Sequence, residues 1–172
     1  VKRRFVFHFS LLHFYSLSNF LQMLKKKYHN AKFDRAERLK SEKIIGQLFR
    51  GSNSLTGFPL RLVWSEIAPP LSSATESIDN QATIHNPPVQ FGLSVPKKFF
   101  KKAVDRNLLR RRIREAYRLN KARFFKKLPE GRHFAFMVLY TAREEMPYSD
   151  IEKGMKKMMF RFLQQLEENP KK

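Results

Sequence analysis

The chain has 172 residues, with 35 Lys or Arg against 15 Asp or Glu, a net charge of +20 and no cysteine. The missing cysteines exclude disulfides and thiolate metal sites, and the 17 Phe in an ordinary apolar fraction exclude a disordered chain. The length fits one domain with tails, and the excess positive charge points to a polyanion partner.

Residues 1–24 begin with a basic cluster and continue as an apolar run, the outline of a signal peptide. His8, Ser10, His13, Ser16, Ser18 and Asn19 interrupt that run, and no A-x-A site follows. The expectation is therefore neither a secretion signal nor a membrane span. The chain opens with Val, and a basic segment starts at Met23, so residues 1–24 read as a non-functional extension from an upstream start. Residues 25–40 form a basic arm with Tyr28 and Phe33 interleaved.

A domain over 41–167 follows, with a tail at 168–172. Ser41 can cap a helix through EKIIGQLFR, which Gly51 ends. Ile44, Ile45, Leu48 and Phe49 share one apolar face of it. GSNSLTG reads as a turn-rich connection. In FPLRLVWSEI, Leu60, Leu62 and Trp64 alternate as on a strand, with Pro59 at its start or on an edge. Residues 65–88 hold four Pro and no Lys or Arg, the pattern of a solvated loop between two strands. VQFGLSV is the next strand, ended by Pro96.

The charge is concentrated in what comes next. Lys97 to Lys127 carries 14 Lys or Arg against two acids, +12 of the total +20. A helix from about Ala103 to Phe125 places Val104, Leu108, Ile113, Ala116 and Tyr117 on its apolar side, with Leu109 beside them. Arg106, Arg110, Arg114 and Arg118 recur every four residues, one stripe with about 6 Å per step. Arg111, Arg112 and Lys121 widen it. Adjacent guanidiniums repel unless an anion lies across them, and their forks match phosphate oxygens. Asp105 suits the helix N-terminus, and Glu115 can pair with Arg111 or Arg118. LPEG is a turn, HFAFMVLY a central strand, and Ser149 or Asp150 caps a last helix. Ile151, Met155, Met158, Met159, Phe162, Leu163 and Leu166 give that helix one apolar face.

The element order is helix, strand, strand, helix, strand, helix: a small α+β sandwich with helices against one sheet. No active-site motif accompanies it, neither paired carboxylates nor H-E-x-x-H, G-x-S-x-G or a phosphate-binding glycine loop. The five His, at 8, 13, 29, 85 and 133, lack zinc-ligand spacing. Physical reasoning alone gives a polyanion binder, with RNA or DNA undecided.

GLSVPKK followed by AVDRNLLRRRIREAYR resembles the protein subunit of bacterial ribonuclease P. Gly92, Ser94, Val95, Lys97 and Lys98 fit that family's strand end. Ala103, Val104, Arg106, Asn107, Arg110, Arg111 and Arg114 fit its helix. The likeness extends from about Phe33 to Leu166 and includes Arg38-Leu39-Lys40. It implies a fold like the second domain of ribosomal protein S5, with a left-handed βαβ crossover, against the general right-handed rule. It also implies removal of the 5′ leader from precursor tRNA, with the RNA subunit as catalyst and Mg²⁺ held mainly by RNA.

From that resemblance, Lys97, Lys98, Lys102, Arg106, Asn107, Arg110, Arg111, Arg114 and Arg118 are expected to bind the ribonuclease P RNA. Ile45 and Phe49 are expected at the leader of precursor tRNA. No protein catalytic residue, protein-held metal, membrane or obligate protein partner is implied, and the cytoplasm is the expected compartment. The rivals are a structural ribosomal or nucleoid protein using the same stripe, and a membrane-inserted or secreted basic protein.

Overall fold

Ser41 opens the first helix through its hydroxyl. In the computed structural model, which describes residues 32–51, 53–68 and 87–168, Ser41 Oγ accepts the Ile44 N–H at 3.4 Å. Helix α1 runs Glu42–Arg50, and the Gly51 N–H closes its last turn on the Gln47 carbonyl at 3.0 Å. The expectations for residues 1–24, for 25–31 of the arm, for 69–86 of the loop and for the tail from 169 lie outside the described residues.

The strands are β1 (Ser54–Gly57), β2 (Leu60–Ile67), β3 (Val89–Ser94) and β4 (His133–Tyr140), in the sheet order β1-β2-β4-β3. β1 pairs with β2 and β2 with β4 in antiparallel fashion, whereas β3 lies parallel to β4. The parallel pair is joined by the basic helix α2 (Ala103–Phe125), and α3 (Tyr148–Glu168) ends the fold. The apolar run 133–140 sits between two neighbours, as a strand buried on both faces must.

Strand alternation sorts the core into two layers. Leu60, Leu62, Val89, Phe91, Phe134, Phe136, Val138 and Tyr140 point to one face, where α2 and α3 cover them with Leu109, Ile113, Tyr117, Met155 and Phe162. Val63, Ala135 and Met137 point to the other, where Leu39 and the α1 residue Leu48 cover them, with Ile44 and Ile45 alongside. The sheet thus carries two helices on one side and one short helix on the other. Much of the second face lies beside α1 rather than beneath a long helix.

Several expectations shift. GSNSLTG contains β1, a strand of four residues that its Gly, Ser and Asn content conceals. β1 is tied to α3 by backbone proximity: a Cβ on Gly154 would come within 2.6 Å of the Gly57 carbonyl oxygen and 2.8 Å of that of Phe58. Ser65, Glu66 and Ile67 belong to β2, paired with Ala135, Phe134 and His133, so the loop begins after them. α3 starts at Tyr148, and the Pro147 carbonyl accepts the Asp150 and Ile151 N–H groups. Ser149 and Asp150 therefore lie in the first turn, not at the cap.

On α2, Val104 is 75% exposed, whereas Leu109 is fully buried. Leu108 also faces solvent, because the helix is rotated so that Leu109, Ile113, Ala116, Tyr117 and Phe124 meet the sheet.

Candidate nucleic-acid interface

Three arginines converge at the edge of β3. Arg38, Arg110 and Arg114 line a groove of about 380 Å³ with Phe33, Leu39, Phe91, Gly92 and Leu93. Arg110 and Arg114 come from successive turns of α2. Arg38 comes from the segment ahead of α1, which docks on β3 through a single parallel β-bridge between Arg38 and Phe91. Leu39 N–H donates to the Phe91 carbonyl at 3.1 Å, and Phe91 N–H donates to the Glu37 carbonyl at 2.6 Å. Alternation then turns Glu37 and Leu39 inward and Arg38 outward.

Packing and charge hold this segment in place. Phe33 meets Phe91 and Tyr117 edge-on, with centroids 6.0 and 5.8 Å apart, and Phe91 stacks on Tyr117 at 4.0 Å. The Arg38 guanidinium lies 5.8 Å over the Phe33 ring. Beneath them the Lys121 ammonium meets the Glu37 carboxylate in a buried ion pair. Burial, and then the neighbouring Glu37 charge, push the Tyr117 hydroxyl well above its ordinary pKa. Lys121 therefore does not widen the solvent-facing stripe; it fastens the arm.

The regular i+4 stripe divides in the same way. Arg106 donates to the Phe100 carbonyl at 2.8 Å and the Lys101 carbonyl at 2.6 Å, pinning the loop that enters α2. Arg118 makes a forked pair with Glu115, Nε to Oε2 at 2.9 Å and Nη2 to Oε1 at 2.7 Å. That contact holds the Glu115 carboxyl below its usual range. Arg112 turns to the other flank, reaching Glu145 at 2.7 Å and the Met146 carbonyl at 3.0 Å.

Arg110, Arg111 and Arg114 form no ion pair with any carboxylate among the described residues, and neither does Arg38. The Arg114 pKa is lowered, by burial first and then by the Arg110 and Arg38 charges. A cluster of like charges left uncompensated by its own chain favours a bound anion.

Lys97, Lys98 and Lys102 are exposed at the entry to α2, and Asn107 is exposed on its first turns. On the opposite face of the sheet, Ile45 is half-buried against Leu39, Leu48 and Met137, whereas Phe49 stands 56% exposed. The structure thus brings Arg110 and Arg114 together with Arg38, leaves Arg111 exposed outside the lining of that groove, sets Arg106 and Arg118 in local contacts, and places the α1 residues on the other face of the sheet. Arg38 and Phe33 are the site residues that stripe counting misses. Their signal is the in-out alternation of Glu37, Arg38 and Leu39, short and outside any helix.

The comparisons with known proteins fall on this same region. The sequence matches the family model for ribonuclease P over residues 33–163. The chain belongs to the ribonuclease P protein family. It is 30% identical over 128 residues to the ribonuclease P protein component of Porphyromonas gingivalis, covering 74% of this chain and 83% of that one. It is 33% identical over 118 residues to the ribonuclease P protein component of Chlorobium phaeobacteroides, covering 64% and 73%. The solved RNase P protein of Staphylococcus aureus shares the fold, with a TM-score of 0.52 at 18% identity, over 74% of this chain and 96% of that one.

Ribonuclease P protein components are parts of an endoribonuclease assembly, and membership implies an RNA partner within it. Membership decides against the structural ribosomal or nucleoid rival. No helix among the described residues is long and apolar enough to cross a membrane.

The buried pair gives a stability prediction. Lys121→Met strands the Glu37 carboxylate and is expected to cost about 3–5 kcal/mol in denaturant unfolding. Glu37→Leu added to it should return most of that loss, because an apolar pair of similar volume fills the same space. A double variant as unstable as the single one would contradict this role for the pair.

Proposed function

We propose that this chain docks on the catalytic RNA of ribonuclease P through α2 and meets the 5′ leader of precursor tRNA through α1. The assembly then removes the leader by endonucleolytic cleavage to give the mature 5′ end. The observation that carries this reading is the meeting of Arg38, Arg110 and Arg114 in one groove without an ion-paired carboxylate. Phosphate oxygens supply what that cluster lacks, and guanidinium forks bind them in pairs. Arg111, Asn107, Lys97, Lys98 and Lys102 extend the surface toward the start of α2. Arg106 and Arg118 shape it through their local contacts.

In this reading the RNA subunit carries the chemistry and the chain supplies binding and position. Mg²⁺ would be held mainly by RNA and would supply charge stabilisation at the phosphate being cut. Among the described residues there is no group of three or more His, Asp or Glu able to hold a metal ion. The work takes place in the cytoplasm.

Phe49 and Ile45 would face the leader from α1. An exposed aromatic ring stacks on any base, and a cleavage partner must accept leaders of different sequence. Ile45 contributes mainly through the apolar layer beneath, since it packs on Leu48 and Met137.

Two measurements test these assignments. Arg110→Ala with Arg114→Ala should weaken binding to the RNA subunit and flatten its log–log salt slope by roughly 1.5, two phosphate contacts at about 0.7–0.9 each. An unchanged slope would remove these residues from the RNA contact. Phe49→Ala should weaken binding of precursor tRNA to the assembled enzyme by about tenfold, through lost stacking, and leave mature tRNA unaffected. Equal weakening of both would assign Phe49 to folding.

A further inference from the structure

The α2 helix presents a second charged flank. Arg123 stands nine residues after Arg114, and at about 100° per residue that places it half a turn away, on the opposite side of the helix. There α2 packs against α3, and the two leave a groove of about 470 Å³. Arg123, Lys127 and Lys156 supply its cations; Met159, Phe160 and Leu163 supply its apolar surface.

Phe160 is the feature the fold does not explain. The core face of α3 is Ile151, Met155, Met158, Met159, Phe162 and Leu166, and Phe160 is not on it. Phe160 is 58% exposed, and its neighbours one turn back are Lys156 and Lys157. Lys156 is partly compensated by Glu152 at 2.7 Å. Arg123, Lys127 and Lys157 form no ion pair among the described residues. The dipole at the end of α2 favours cations there, which accounts for Arg123 and Lys127 singly. It does not account for an exposed aromatic ring and further lysines on the neighbouring helix.

An aromatic platform inside a ring of cations, beside an apolar groove, is the arrangement that binds single-stranded nucleic acid: the ring stacks a base and the cations take the flanking phosphates. Membership in a ribonucleoprotein component family makes that strand RNA. We infer that the α2–α3 groove is a second binding site, for a single-stranded RNA segment separate from the RNA that docks on the Arg110–Arg114 flank. A base lies on Phe160 over Met159 and Leu163, with its phosphates on Arg123 and Lys127. Arg114 and Arg123 lie on opposite sides of α2, so a strand seated in this groove does not occupy the first flank. The site stands on its own residues and does not depend on the leader assignment.

The test uses the full chain carrying Arg110→Ala and Arg114→Ala, which quiets the first flank. Binding of a labelled uridine decamer is measured by anisotropy across a salt series. A strand of the same length without bases and a duplex of the same length serve as competitors. The decamer is expected to bind, and adding Phe160→Ala should weaken it on the order of tenfold. Phe160→Leu, which keeps apolar bulk without an aromatic face, should weaken it nearly as much. Arg123→Gln with Lys127→Gln should flatten the salt slope. The baseless strand should bind weakly and ignore Phe160.

Unchanged affinity in Phe160→Ala would overturn the inference. So would a baseless strand or a duplex that competes as well as the decamer, since plain electrostatics would then suffice. Self-association of the chain that Phe160→Ala abolishes would assign the groove to a second copy instead, and would also overturn it. Cleavage of precursor tRNA by the assembled enzyme, followed in parallel, reports the first surface separately.

Discussion

The buried meeting of Glu37 and Lys121 is the contact on which the candidate RNA surface depends. It joins the segment ahead of α1 to the last turns of α2, two parts of the chain far apart in sequence. Once they are joined, alternation along Glu37, Arg38 and Leu39 decides that Arg38 faces outward, toward Arg110 and Arg114. A charge pair taken out of water is costly and contributes little net stability against an apolar pair. What it fixes is register. A slip of one residue would bury Arg38 and expose Glu37, placing a carboxylate where the groove now offers only cations.

The same economy of charge runs along α2. A 23-residue helix dense in arginine would repel itself if every guanidinium faced solvent uncompensated. The fold divides them. Arg106 closes the entry loop, Arg112 ties down residues 145 and 146, and Arg118 holds Glu115. Arg110, Arg111, Arg114 and, on the opposite side of the helix, Arg123 form no ion pair among the described residues. Such a surface suits an anion with closely spaced charges, and membership in the ribonuclease P protein family implies an RNA partner within the assembly.

Much of this was legible in the sequence. The bounds of α1 and α2 follow from Ser41, Gly51 and the basic run, and β4 follows from an unbroken apolar stretch. The GLSVPKK and AVDRN segments were specific enough to indicate the family. What escaped was tertiary. Helical spacing offers Glu115 either Arg111 or Arg118, and the fold takes Arg118; spacing cannot show that the carbonyls of Phe100 and Lys101 engage Arg106. Lys121 reads as one more surface cation until Glu37 arrives from 84 residues away. Val104 and Leu108 look like core by composition, yet the rotation of α2 is set by Leu109 and Tyr117. β1 is four residues without large apolar alternation, and it exists because β2 offers it an edge.

In the proposed docking, Arg38 and Arg114, brought together by the docked arm, hold the same RNA phosphates. A double-mutant cycle on RNA-subunit binding at fixed salt tests it most directly, with Arg38→Ala, Arg114→Ala and the pair. Shared phosphates predict a coupling of about 1 kcal/mol or more, the second loss being smaller once the first arginine is gone. Losses that add to within roughly 0.5 kcal/mol would mean that the two arginines act independently, and would contradict the claim.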